Sequence, residues 1–429
     1  MPRASTLKRR ISLWLRLPIS GPVFRLYAPR HRWRERAAED HRLPNPAKRR
    51  VLIANLMGSL GDTVCYMALA DAILRACPEA EVTWLVNRAM GAMVRMHPGT
   101  AHVLTVDIPA SPLLRIPTIK SYYRLWRTMQ AVRRMATLPF DVALVPRGGV
   151  DPSFSAHAVW MLNVGRSFGY SHSVEPGQVH HNNGDGLLTD ALTRITDRHE
   201  AMRPLRLLEL SGLVRAGALD WHDALPIRGL QTIASRTDPG PLFHRLGVSA
   251  ERGYVVISPG AGEAKRAWPP EKFQEVCRRC LSGTGLQVVL TGTNAEYALC
   301  SAIAAGLGPH AKNCAGAVSL PELTTLLSHA RIFVGNDSGT GHIAGALGIP
   351  TISLHVQPKD GDRSHINSPA HIRPVGPQVT VLQPSKLLPP CRDGCEAARA
   401  HCLDQISVDE VWSAMKPYLR HWVHGLSEP

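Results

Sequence analysis

The sequence predicts an α/β protein made of two doubly wound parallel sheets facing each other across a cleft. Three observations predict it. An apolar run at 51–56 (VLIANL), a glycine turn at 58–62 (GSLGD), a helical stretch to Ala76 and a second apolar run at 82–86 (VTWLV) make one β-α-β unit. The same order starts again with YVVIS at 254–258, well past the middle of the 429-residue chain. The most informative stretch is RIFVGNDSGTGHIAGALGIP at 331–350 followed by TISL at 351–354: a short apolar strand, a glycine-rich turn, a small-residue helix ended by Gly348 and Pro350, and another strand.

The remaining elements fill in around these. In the first half, strands are expected at 103–106 and 141–146, with a basic amphipathic helix near 122–136 and a further helix near 203–213. In the second half, strands are expected at 254–258, 287–291, 332–334 and 351–354, with a helix after each of the first three. Pro226, Pro239 and Pro241 mark a linker near 225–250. The expected organisation is a basic arm over 1–50, an acceptor-side domain over 51–235, and a nucleotide-binding domain over 236–429 that includes a cysteine cluster and a terminal helix.

Charge separates the arm from the body. Residues 1–50 carry 14 Lys or Arg against 3 acids, so +11 of the formal +15 lies there and the body is nearly neutral. Within the arm, ISLWLRL at 11–17 and VFRLY at 23–27 interleave apolar side chains with arginines, a pattern suited to the interface of an anionic bilayer; a solvated basic tail is the alternative. No helix-turn-helix, zinc-finger or RNA-recognition signature accompanies the charge, so nucleic acid is not an expected partner. No run of about 18 uncharged apolar residues occurs, and no export signal is evident, which points to the cytoplasm and to reduced thiols for the nine cysteines. Three of these, Cys391, Cys395 and Cys402, cluster beside His401; they are either local thiols or part of a metal site short of one ligand.

Four places can carry chemistry. The turn over Asp337, Ser338, Gly339, Thr340, Gly341 and His342 opens a helix, where backbone N–H groups and the helix dipole favour a phosphate; an ordinary capped turn is the plain alternative. Asp62 follows Gly58 and Gly61, where a carboxylate would repel a dinucleotide's pyrophosphate. It therefore reads as a base at the lip of the cleft, or simply as a helix cap. Lys265 and Arg266 lie in the glycine-containing loop PGAGEAKRAWP at 259–269, a setting suited to a departing diphosphate or to exposed surface. Glu296, at the start of a helix after the strand ending at Thr291, can receive ribose hydroxyls or favour the helix dipole.

Taken in order, these pieces resemble glycosyltransferase family 9, the ADP-heptose:lipopolysaccharide heptosyltransferases. The resemblance runs over about 51–420 and rests on VLIANLMGSLGD, DRHEAMRPLRLLELSGL, ISPGAGEAKRAWPPEKF, VVLTGTNAE, NCAGAVSLPELTTLLSHARIFVGNDSGTGHIAGALGIPTISL and the late segment ending CLDQIS. It implies a GT-B fold and inverting transfer of a heptose from ADP-heptose to a lipid-linked saccharide, with no cofactor or metal required. By position it makes Asp62 the general base, Lys265 a diphosphate ligand, Glu296 a ribose ligand, and Asp337 to His342 the donor-phosphate turn. Arg147, just past a strand, is a candidate for acidic groups of the acceptor. The chain departs from the family pattern at Ala68 and Thr340, both usually proline, and at His355-Val356, usually Phe-Gly. It also has one residue more than the usual Lys-x-Trp spacing before Trp268, so that Lys265 or Arg266 stands for the family's lysine. A relative acting on another donor or glycan, a nucleotide-sugar 2-epimerase, and a non-catalytic membrane adaptor are the competing readings.

Overall fold

A computed structural model describes residues 49–57, 59–107, 117–133, 135, 139–147, 153–162, 164–174, 184–195, 199–215, 217, 227–365, 367–389, 391 and 400–422. The basic arm and Cys395 lie outside the described residues. The first sheet holds β1 (Arg50–Asn55), β2 (Glu81–Asn87), β3 (Thr100–Val106), β4 (Phe140–Leu144), β5 (Val164–Tyr170) and β6 (Asp190–Leu192), all parallel, in the order β3-β2-β1-β4-β5-β6. The second holds β7 (Tyr254–Ser258), β8 (Gln287–Leu290), β9 (Ala311–Asn313), β10 (Ile332–Asn336), β11 (Thr351–Leu354) and β12 (Val379–Leu382) in the order β12-β11-β10-β7-β8-β9. Counted within each half, both are the same doubly wound order, and the strand order reverses between β1 and β4 in one and between β7 and β10 in the other.

Continuous apolar runs mark the central strands because a parallel sheet is covered on both faces. Val51, Leu52, Ile53 and Ala54 are all buried, as are Ile332, Phe333 and Val334. The strands that the sequence pattern did not reveal are β5, β6, β9 and β12. Of these β6, β9 and β12 are short edge strands, and β5 is broken by Gly165, Arg166 and Gly169. Edge and glycine-rich strands lack the two-sided burial that writes an unbroken apolar run.

The stretch expected as a linker carries two helices, Arg228–Arg236 and Pro239–Leu246. Pro239 starts the second of these behind the cap Asp238, whose side chain accepts from the Gly240 N–H at 3.0 Å; proline suits a first helical turn because the N–H it lacks has no partner there. Ile227, Leu230 and Ile233 are buried in a core cluster that joins Val64, Met67 and Leu69 of the first lobe to Leu326, Phe333 and Ile343 of the second. The lobes are thus joined by shared apolar packing. The C-terminal helix Val408–Leu419 packs into a separate cluster of the second lobe. No helix among the described residues is long and apolar enough to cross a membrane.

Candidate active site

The crevice beyond the carboxyl ends of strands at a reversal of strand order is where doubly wound sheets bind ligands. In the first lobe, helix Leu60–Ala76 follows β1 and begins at Ser59, whose hydroxyl accepts from the Asp62 N–H at 3.4 Å. That capping puts Asp62 in the first turn, at the crevice, and Arg147 leaves the neighbouring β4 toward it. Arg147 Nη1 donates to Asp62 Oδ2 at 2.5 Å, with the two side chains only 17% and 16% exposed.

The second lobe repeats the arrangement. Arg266, in the loop after β7, donates to the Asp337 carboxylate in the turn after β10. Asn336, fully buried at the end of β10, ties the two loops together: its Nδ2 donates to the Pro259 carbonyl at 2.8 Å and its Oδ1 accepts from the Trp268 N–H at 3.0 Å. Trp268 is itself buried and donates from Nε1 to the Ile406 carbonyl at 3.0 Å. Behind Asp337 lies His355, fully buried, with Nδ1 3.9 Å from Asp337 Oδ2 and Nε2 3.0 Å from the Ser353 hydroxyl. Burial holds the His355 imidazole below its usual range, and the Asp337 charge only partly opposes this.

The other cleft candidates separate by position. Lys265 turns to the exposed Glu263 at 3.0 Å, so the two neighbouring cations of this loop face different partners. Glu296 closes a capping box, accepting from the Thr293 N–H at 2.6 Å and its hydroxyl at 3.0 Å. Its carboxylate also lies over Gly260, where a Cβ would come within 1.8 Å of Oε1, so any larger residue there would push the carboxylate aside. The turn over Asp337, Ser338, Gly339 and Thr340 is half-buried, while Gly341 and His342 are buried. Ser338 does not cap the helix Gly339–Ala346 with its side chain, and its buried hydroxyl has no protein partner. The start of this helix rests on the first lobe, since a Cβ on Gly339 would sit 2.5 Å from that of Leu60.

His342 lies between the lobes. A Cβ on Gly61 would be 3.2 Å from its ring, and its Nδ1 is 3.8 Å from the Cys65 thiol. Burial pushes its basicity down, while the charges of Asp337 and Asp62 both push it up. One imidazole thus feels the carboxylates of both lobes.

A second interlobe tie was not legible as such in the sequence. His199 Nε2 donates to the Arg373 carbonyl at 2.8 Å, its Nδ1 accepts from the Ala201 N–H at 3.1 Å, and the Glu200 N–H donates to the His371 carbonyl at 2.9 Å. Next to it, buried Arg203 donates to Glu200 at 2.6 Å. Only the cluster DRHEAMR, four charged residues and a histidine in seven, marks this strap in the sequence.

The strap has a pH signature. Burial drives His199 from 6.5 down to about 4, the Arg373 carbonyl opposing it, and burial drives His157 to about 4 as well. Below pH 6.5 the unfolded chain protonates both rings while the folded chain resists. Stability is therefore expected to fall as pH drops from about 6.5 to about 4, by up to about 3 kcal/mol for each ring, and to gain no further loss from them below that. Urea unfolding at several pH values measures the slope, and His199→Gln, which can still donate to the Arg373 carbonyl, should make it shallower. An unchanged slope in that variant would count against the assignment.

Comparison with known proteins points to one family. Residues 225–393 match the family model described as glycosyltransferase family 9 (heptosyltransferase). The chain is 26% identical over 320 residues to lipopolysaccharide heptosyltransferase 1 of Pseudomonas aeruginosa, covering 71% of this chain and 78% of that protein. These matches support its assignment to glycosyltransferase family 9. Its similarity to lipopolysaccharide heptosyltransferase 3 of Escherichia coli is higher but shorter, 41% over 106 residues, 24% of this chain and 31% of the relative, so the chain spans about a third of that family member. Among solved structures, E. coli heptosyltransferase WaaC with ADP is similar over 86% of this chain and 99% of its own, with a TM-score of 0.63 at 16% identity, and the family 9 glycosyl transferase from Veillonella parvula over 87% and 97%, with a TM-score of 0.62 at 16% identity. At that identity the likeness speaks for the fold, which is the family's GT-B arrangement of two Rossmann-like domains.

Proposed function

We propose that the chain is an inverting glycosyltransferase that moves a heptose from ADP-heptose to a lipopolysaccharide core or another lipid-linked saccharide. The family match and the names of its relatives support this reading, and one observation carries it. The crevices of the two lobes, each spanned by a carboxylate–arginine pair, converge on His342. A reaction between a nucleotide-sugar in one lobe and an alcohol in the other needs that pairing of crevices.

In the proposed reaction the acceptor hydroxyl attacks the anomeric carbon from the face opposite the diphosphate, its proton passes to Asp62, and the bond to the diphosphate oxygen breaks. Arg147 is the acceptor's anchor: an acidic group on the acceptor competes for its guanidinium and so frees Asp62 to take the proton. On the donor side, Arg266, the Ser338 hydroxyl and the N–H groups opening helix Gly339–Ala346 receive the charge that builds on the departing diphosphate. Glu296 is assigned to the ribose. The basic arm supports a location at the inner face of the cytoplasmic membrane, where a lipid-linked acceptor resides.

The test is release of ADP from ADP-heptose in the presence of a heptose-deficient lipopolysaccharide, with the product weighed by mass spectrometry. Gain of one heptose by the acceptor is expected. Conversion of the donor sugar without any acceptor, or no ADP release with any truncated core, would overturn the proposal.

A further inference from the structure

We infer that Cys391, His401 and Cys402 form a structural zinc site that fastens the end of the second lobe. Their ligand atoms all lie within 4.8 Å of one another, and neither cysteine is in a disulfide. The Cys402 sulfur and His401 Nε2 are 3.8 Å apart. Zinc bonds of about 2.3 Å to sulfur and about 2.0 Å to nitrogen at a tetrahedral angle place such a pair about 3.6 Å apart, so the side chains need little movement to share one ion.

One further feature points to a ligand. The Leu388 N–H donates to the Cys402 sulfur at 3.4 Å, the kind of outer contact that orients a metal-bound thiolate. His401 Nε2 donates to the Leu388 and Pro389 carbonyls, 3.2 Å and 3.1 Å away, so binding of the metal through Nε2 moves the imidazole proton to the buried Nδ1. Two thiols and an imidazole are a soft donor set that suits zinc better than calcium or magnesium. On binding, each thiol gives its proton to solvent.

The site is placed to brace the fold. Cys391 and Cys402 are buried, and Cys402 runs directly into Leu403 and Ile406, both buried in the second-lobe cluster. The Ile406 carbonyl accepts from Trp268 Nε1, and Trp268 follows Arg266 by two residues. Loss of the metal would therefore loosen the segment against which the Arg266 loop is held. This inference is independent of the sugar or acceptor that the cleft takes.

The experiment uses the full, tag-free chain purified under reducing conditions without chelator, with metal content measured by inductively coupled plasma mass spectrometry. About one zinc per chain is expected, lost in Cys391→Ser and in Cys402→Ser and kept in Cys77→Ser, a thiol in the other lobe. Because a ligand variant can fail to fold, the wild-type chain is also stripped with chelator and titrated with Co²⁺, where a thiolate-to-cobalt charge-transfer band saturating at about one equivalent is expected. Less than about a tenth of an equivalent of zinc together with no such band, iron in place of zinc, a disulfide between Cys391 and Cys402, or zinc retained at full stoichiometry in both folded serine variants would each overturn the inference.

Discussion

Asp62→Asn is expected to lower kcat for sugar transfer by about 10²–10⁴-fold, the range that a positioned proton acceptor contributes, while leaving donor affinity within about twofold. Asparagine matches the size of aspartate and can still accept from Arg147, so the crevice keeps its shape, but an amide cannot take the proton of an attacking alcohol. The measurement is ADP release at saturating donor and acceptor, beside calorimetric titration of ADP. A kcat within about threefold of wild type would remove Asp62 from the reaction. Loss of ADP binding along with activity would instead mark Asp62 as part of the packing between helix Leu60–Ala76 and helix Gly339–Ala346.

Arg266→Ala is expected to raise the donor KM at least about tenfold and to destabilise the chain, whereas Lys265→Ala should change either quantity by no more than about twofold. The two cations are adjacent in sequence and differ in setting. Arg266 is 27% exposed against an Asp337 side chain that is only 8% exposed, while Lys265 and its partner Glu263 are 36% and 58% exposed. An exposed pair contributes little, but removal of one partner from a sheltered pair leaves a carboxylate in a poor solvent, at a cost of about 3 kcal/mol. Steady-state kinetics with varied donor and thermal unfolding of both variants decide the question. A larger donor effect from Lys265→Ala than from Arg266→Ala would return the diphosphate to the lysine.

Central strands and the turns after them were legible because their constraint is local and doubled. A strand covered on both faces must be apolar at every position, and a turn that opens a helix at a sheet's crevice needs glycine and a polar residue, so 51–62 and 331–342 read directly as strand, turn and helix start. The strands β5, β6, β9 and β12 were hidden for the converse reason, since a half-covered or glycine-broken strand accepts almost any residue. The prolines of 225–250 misled because the same residue that breaks a helix interior also starts a helix. His355 was visible only as a departure from a familiar pattern, and nothing local announces that it sits behind Asp337.

From the chain of residues alone came the α/β class, two doubly wound halves, the Asp62 and Asp337 turns and the cluster of thiols, all set by neighbours within some twenty positions along the backbone. Which groups meet was decided only in three dimensions: Arg147 with Asp62 across 85 positions, Arg266 with Asp337 across 71, and Cys65 with His342 across 277. Hydropathy period and turn chemistry are properties of short segments, whereas an ion pair or a buried histidine depends on strand order and on how two lobes pack, which no segment contains by itself.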